Sequence, residues 1–99
     1  MQDQKLHEDM QLLARKVVEQ AKECFDVTLD YSEESLVDMN QILSYLYEAN
    51  VIEPLPENDR ARTTMIFGAY LGEVFRRNIG GDWVKEWHPK IGEYIFIKK

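Results

Sequence analysis

The chain has 99 residues, of which 44% are hydrophobic and 30% charged, and its formal net charge is −6. These values predict one globular domain over residues 1–99 and exclude a disordered chain. A single cysteine excludes an intrachain disulfide framework, and the polar N-terminus lacks the apolar run of a signal peptide, so we expect a cytoplasmic protein. The longest uncharged stretch, residues 63–72, is too short for a membrane span, which takes about 20 residues.

The negative charge is concentrated in the middle of the chain. Residues 26–59 contain nine acidic residues and no basic one, whereas residues 60–79 contain four arginines and one acid. Such a field repels nucleic acid and favours a basic partner. Two interpretations stay open: a solvated acidic surface whose charges pair with the arginines, or a partner-binding surface at Asp30, Glu33, Glu34 and Asp38.

The first segment has the apolar spacing of an amphipathic helix. Apolar residues recur every three or four positions, which predicts a helix from Gln4 to Phe25 with one buried face, at Leu6, Met10, Leu13, Val17, Ala21 and Cys24. We therefore expect Cys24 to be an inert core thiol and not a nucleophile. His7 lies near the chain end, where fraying would undermine a rigid metal site.

The residues Tyr31-Ser32-Glu33-Glu34, which follow an extended connector, predict the start of a second helix. Two N-caps compete, Asp30 with a capping box and Ser32 with a hydrophobic staple from Tyr31 to Leu36. The staple favours Ser32. The helix is predicted to end at Asn50, and the prolines then predict a linker over residues 51–56.

The third helix is predicted to start between Pro56 and Asp59 and to be the central element, because residues 63–72 carry no charge. Gly68 and Gly72, four residues apart, predict a backbone or ring packed directly against that face. The expected apolar arc consists of Phe67, Tyr70, Leu71, Val74 and Phe75. The opposite side is expected to carry Arg62, Glu73, Arg76 and Arg77. Gly80-Gly81 ends the helix.

Glu73 interrupts the uncharged pattern and can reach Arg76 and Arg77 one turn on. Two readings are open: a structural ion pair, or a ligand cleft formed with Tyr70 and Trp83 in which Glu73 binds a ligand or acts as a base. No catalytic residue, cofactor motif or metal-ligand set is predicted.

The C-terminal segment predicts two antiparallel strands, Asp82–Trp87 and Gly92–Lys98. A two-stranded hairpin is marginal by itself, so it must pack on the helices, with Trp83 and Trp87 as anchors. The predicted fold class is α+β, with three helices followed by a C-terminal antiparallel hairpin.

Three strings, LDYSEESL at 29–36, FGAYLGEV at 67–74 and GGDW at 80–83, together resemble a family of small bacterial domains of unknown function. The resemblance covers roughly residues 12 to 98 and implies a cytoplasmic α+β protein, with some members similar to immunity proteins that neutralise a toxin. It carries no catalytic residue. Relatives continue past the final strand, which leaves open a truncated form of a longer domain or an edge completed by a second copy.

Three functional hypotheses follow. The first is a non-enzymatic inhibitor or immunity-like module that presents its acidic surface to a basic protein. The second is a small-molecule binder or enzyme with the cleft described above. The third is a homo-oligomer that pairs through the strand at residues 93–98.

Overall fold

The computed structural model describes residues 4–99 and has three helices followed by a two-stranded antiparallel sheet. The elements are α1 (Gln4–Phe25), α2 (Ser35–Ile52), α3 (Glu57–Asn78), β1 (Asp82–His88) and β2 (Gly92–Lys98). The α+β class and the order of the elements are confirmed.

The core lies mainly between α1 and α3, with the hairpin closing one end. Helix α1 contributes Leu6, Met10, Ala14, Val17 and Ala21, and α3 contributes Ile66, Phe67, Ala69, Tyr70 and Val74. Helix α2 buries only Ser35, Met39 and Ile42. Most of its surface is therefore left to solvent.

The predicted burial of Cys24 is wrong, because this cysteine is exposed. In the last turn of α1, Phe25 packs against the core in place of Cys24. The ring of Phe25 contacts the ring of Tyr45 edge-on at a centroid distance of 5.5 Å. Cys24 instead borders a surface groove beside Asp38 and Tyr45. Leu13 is only half-buried, and Ala14 takes the fully buried position next to it.

The start of α2 confirms Ser32 as the capping side chain. Its Oγ accepts a hydrogen bond from the Ser35 N–H at 3.2 Å, which is the bond an N-cap makes to the third helical residue. Backbone bonds from Ser35 to Ser32 and from Leu36 to Glu33 form a 3₁₀-type first turn, so the regular α-helix begins three residues after the cap.

The end of α2 lies two residues beyond the prediction, at Ile52. Asn50 does not terminate the helix; its side-chain Oδ1 accepts a hydrogen bond from the Leu55 N–H at 2.7 Å and holds the linker. Pro54 restricts only the residue before it, so the helix can continue to Ile52. Helix α3 starts at Glu57, within the predicted interval.

The buried arc of α3 differs from the predicted one. Ile66, Ala69 and Glu73 are buried, whereas Leu71 and Phe75 are 49% and 43% exposed. The core partners lie on one side of the helix only, so the rest of the protein does not enclose α3. Glu73 belongs to this buried face and not to the exposed face of Arg62 and Arg77.

The two glycines of α3 have different surroundings. A Cβ at Gly72 would overlap the Trp83 indole ring, which confirms the predicted close approach at that position. A Cβ at Gly68 would meet nothing within 4 Å, so the prediction for Gly68 is wrong. The ring rests on one turn of the helix and does not extend to the next.

The hairpin register pairs Trp83 with Ile97 and Trp87 with Glu93. Gly80 and Gly81, with φ of 107° and 112°, make the left-handed exit from α3 that the sequence predicts. Trp83 is buried and anchors the hairpin on the helices, but Trp87 is 69% exposed. From Lys85 onward β1 is exposed, and Trp87 lies in this exposed part of the strand.

Candidate functional site

The four acidic residues predicted to bind a partner all lie on the surface at the start of α2. Within residues 4–99 no basic side chain forms an ion pair with Glu33, Glu34 or Asp38. The expected pairing of the acidic segment with the arginines is therefore not found, because Arg76 and Arg77 bind Glu73 instead. The three carboxylates remain available to a partner.

Asp30 has a local structural role in the same cluster. Its Oδ1 accepts hydrogen bonds from the Ser32 Oγ at 2.5 Å and from the Ser32 N–H at 3.1 Å. These two bonds hold the pKa of Asp30 below its ordinary value of 3.8. Asp30 thus orients the capping serine while its charge stays on the surface.

The Glu73 carboxylate is fully buried and accepts hydrogen bonds from three side chains. Oε2 binds the Arg76 Nε at 2.7 Å and the Trp83 Nε1 at 2.9 Å. Oε1 binds the Arg76 Nη2 at 3.1 Å and the Arg77 Nη2 at 3.2 Å. The predicted ion pairs of Glu73 with both arginines are confirmed, and Trp83 links them to β1.

The ionisation of Glu73 follows from competing effects. Burial raises the pKa of this carboxyl group. The hydrogen bonds from Arg76 and Trp83 and the charges of the two arginines lower the pKa by more than burial raises it. The net pKa lies below the ordinary value of 4.5. Glu73 is therefore ionised at neutral pH, and every contact named above stabilises the charged form.

Tyr70 lies one turn before Glu73 but bonds to the start of α2. Its hydroxyl accepts a hydrogen bond from the Tyr31 N–H at 3.0 Å and lies 2.6 Å from the Ser35 Oγ. Because Ser35 Oγ donates to the Ser32 carbonyl at 2.6 Å, the Tyr70 hydroxyl donates to Ser35. A continuous chain of hydrogen bonds thus joins α3 to the α2 cap.

Tyr31 is the residue of this network that sequence reasoning missed. It has a φ of 64°, unusual for a residue with a large side chain, and its carbonyl accepts a hydrogen bond from the Asn78 Nδ2 at 2.8 Å. Its ring lies 5.1 Å from the Tyr70 ring, and the Arg77 guanidinium sits 3.7 Å from its centroid. Burial raises the pKa of Tyr31, although the charge of Arg77 opposes it.

The residues of the predicted ligand cleft are thus brought together only in part. Glu73 and Trp83 touch, whereas Tyr70 binds a different set of partners. The exposed fraction of the side chain is 0% for Tyr70 and Glu73 and 5% for Trp83, so none of the three is accessible to a ligand in solution. The cleft hypothesis gains no support from this arrangement, whose evident effect is to join α3, β1 and the start of α2.

Two apolar depressions lie between α2 and α3 on the surface, and we call them together the α2–α3 groove. One has a volume of about 200 Å³ and lies beside Leu36, Leu71, Phe75 and Ile79, with Glu33 at its margin. The other is a larger depression of about 610 Å³ beside Leu43, Tyr47, Leu55, Thr63 and Thr64, bordered by Glu48 and Arg60. Leu71 and Phe75 line the α2–α3 groove, although the apolar spacing predicts both for the core.

Two kinds of feature are absent from residues 4–99. No group of three or more His, Cys, Asp and Glu side chains there could hold a metal ion. None of the described helices has the length and apolar content needed to cross a bilayer. Strand β2 pairs with β1 alone in this part of the chain, and the homodimer hypothesis stays a prediction.

No protein-family model, curated protein or solved structure matches the chain. The resemblance to the family of small bacterial domains therefore stays a prediction, and the function has to be argued from the surface itself.

Proposed function

We propose that the protein is a non-enzymatic binding module whose acidic surface, at Asp30, Glu33, Glu34 and Asp38, docks a basic protein in the cytoplasm. The observation that carries this proposal is that Glu33, Glu34 and Asp38 are exposed and have no basic partner within residues 4–99. A carboxylate cluster that the fold leaves unneutralised attracts a positively charged surface and raises its association rate. An immunity-like or inhibitory role is one form of this function.

The surroundings of the cluster also support a recognition role. The hydrogen bonds of Asp30 and Ser32 and the chain from Tyr70 to Ser35 hold the first turn of α2 in one geometry. A rigid acidic turn loses little conformational entropy when a partner binds. Glu73, which is buried and bound to Arg76, Arg77 and Trp83, supports this surface by holding α3 in place and does not contact the partner.

The experiment compares three forms of the protein as bait in an extract of the source cells. The first is the wild type, and the second carries Glu33→Gln, Glu34→Gln and Asp38→Asn. The matched control carries Glu8→Gln, Glu19→Gln and Glu23→Gln, which remove the same charge from exposed positions of α1. Asp30 is left intact because it supports the cap.

We expect a basic protein to be retained by the wild type and by the α1 control, to be lost from the α2 variant, and to be released as the salt concentration rises. Binding of the purified protein to each bait should then be at least tenfold weaker for the α2 variant. Equal retention by the two triple variants, or no salt-sensitive partner at all, contradicts the proposal.

A further inference from the structure

We infer that the α2–α3 groove is the seat of a basic amphipathic helix of a partner protein, whose apolar face lies on α3 and whose basic side chains point toward α2. This inference rests on the proposed function and specifies the partner segment.

The α3 wall of the groove offers an unusual apolar stripe. Leu71, Phe75 and Ile79 follow one another at intervals of four residues and are 49%, 43% and 47% exposed. They form a row about 12 Å long on one side of the helix. Gly68 continues the same side without a side chain, so it leaves room for a close neighbour.

The α2 wall is apolar at its base and lacks positive charge. Leu36 and Leu43 are half-buried beneath the groove, and Tyr47 is 72% exposed at its rim. A row of exposed apolar side chains on one helix is a surface on which the apolar face of another helix can lie. A row of apolar side chains with helical spacing is therefore the complementary ligand.

The charges decide what kind of helix fits. The charged side chains that line the groove are Glu33 at one end and Glu48 with Arg60 at the other. The whole segment over residues 26–59, which includes α2, carries nine acids and no base. On the α3 side residues 63–72 carry no charge. A bound helix thus meets Glu33 and Glu48 on the α2 side, and on the α3 side the stripe from Leu71 to Ile79 with one base, Arg60, at the far end.

The same charges disfavour a second copy of this chain as the occupant. Two copies that met through this groove would bring Glu33 and Glu48 of each copy toward those of the other, and each copy has a net charge of −6. Like charges near an interface oppose association. Glu33 belongs both to the acidic surface and to the groove margin, so one basic helix can contact both.

The probe is a fluorescein-labelled 21-residue peptide of leucine and lysine with the leucines on one helical face, and its binding is followed by fluorescence anisotropy. Two reference peptides accompany it: a scrambled peptide of the same composition, and an amphipathic peptide with glutamate in place of lysine. We expect the amphipathic basic peptide to bind at least tenfold more tightly than either. Binding of the scrambled peptide within threefold overturns the inference, because charge alone would then explain it.

Location is tested with two double variants of equal chemistry. Leu71→Ser with Phe75→Ser removes the stripe, whereas Val37→Ser with Met65→Ser changes apolar side chains that are 63% and 56% exposed and do not line the groove. We expect at least tenfold weaker peptide binding for the first pair and less than a twofold change for the second. Equal losses overturn the inference.

A second measurement does not depend on variants. In amide spectra of the ¹⁵N-labelled wild type, we expect the peptide to shift the signals of Thr64, Gly68, Leu71 and Phe75 and to leave those of α1 unchanged. Shifts confined to other surfaces overturn the inference.

The extract experiment distinguishes the failure of this inference from the failure of the proposed function. A native partner lost by the acidic triple variant but retained by the Leu71 and Phe75 variant refutes the groove alone. Specific peptide binding in the groove without any native basic partner refutes the proposed function alone.

Discussion

Gly68 and Gly72 occupy successive turns of α3 and differ only in what lies beside them. Trp83 covers Gly72, and its indole N–H is held by Glu73 at 2.9 Å, so the ring has little freedom to move away. Gly68 faces open space. Glycine within a helix costs about 1 kcal/mol relative to alanine, and only at Gly72 does a packed ring offset that cost.

The paired substitutions Gly72→Ala and Gly68→Ala test this difference. The new methyl group at position 72 overlaps the Trp83 ring, so we expect the free energy of unfolding to fall by about 2 kcal/mol. At position 68 the methyl group meets nothing, so helix propensity alone acts and we expect a gain of about 1 kcal/mol. Urea unfolding followed by circular dichroism measures both. A change of the same sign in the two variants would refute the difference in packing.

At the scale of the secondary-structure elements, α2 is held to the rest of the protein chiefly through its first turns. It buries only Ser35, Met39 and Ile42, and the hydroxyl chain from Tyr70 to Ser35 supplies the directional contacts. A buried hydroxyl that both accepts and donates has no substitute once it is removed. The position of α2, and with it the acidic surface and one wall of the groove, depends on this chain.

Tyr70→Phe removes the central hydroxyl of that chain and leaves the ring in place. The Tyr31 N–H then loses its acceptor and the Ser35 Oγ loses the donor that it accepts from, so we expect a loss of about 2 kcal/mol in the free energy of unfolding. Tyr47→Phe is the control, because Tyr47 is 72% exposed and its loss should stay within about 0.5 kcal/mol. Urea titration of both variants gives the comparison. A Tyr70→Phe protein as stable as the control would show that the chain contributes nothing.

At the scale of the whole molecule, the protein is thin. Its extents are 42 × 31 × 19 Å, and the shortest is about two helix diameters. Two layers of helices cannot cover every apolar face, which explains why the stripe on α3 and most of α2 remain exposed. The net negative charge comes from residues 26–59, which carry nine acids and no base.

The stability of the whole molecule should fall in acid, and the sign follows from Glu73. The pKa of this group is lower in the folded protein than its ordinary value of 4.5, so its stabilisation is fully present above that value. It is lost as the pH falls through the folded pKa. Asp30, whose pKa is also lowered, acts in the same direction.

We therefore expect urea midpoints to decrease steadily from about pH 5 downward. Glu73→Gln should be about 2 kcal/mol less stable at neutral pH, because the arginines and Trp83 lose a charged acceptor. It should also show a shallower decrease in acid, since one titrating group is gone. A parallel pH profile for the variant and the wild type would exclude Glu73 as a source of the acid sensitivity.

The order of the elements, the Ser32 cap, the ion pairs of Glu73 and the left-handed exit at Gly80 were all predicted from the sequence. Each of these depends on residues close together in the chain: apolar spacing, one turn of helix, or a backbone angle that glycine adopts readily. Such local rules hold wherever the segment is placed in the fold.

The tertiary structure alone decided which side of each helix is covered. Cys24, Leu71 and Phe75 satisfy the apolar pattern and are still exposed, because burial requires a neighbouring element and the sequence does not say where that element lies. The contact between Tyr70 and Ser35, 35 residues apart, has the same origin. The acidic charge of residues 26–59 could be read from the sequence, but the apolar groove beside it exists only because α2 and α3 leave part of their apolar surfaces unpaired.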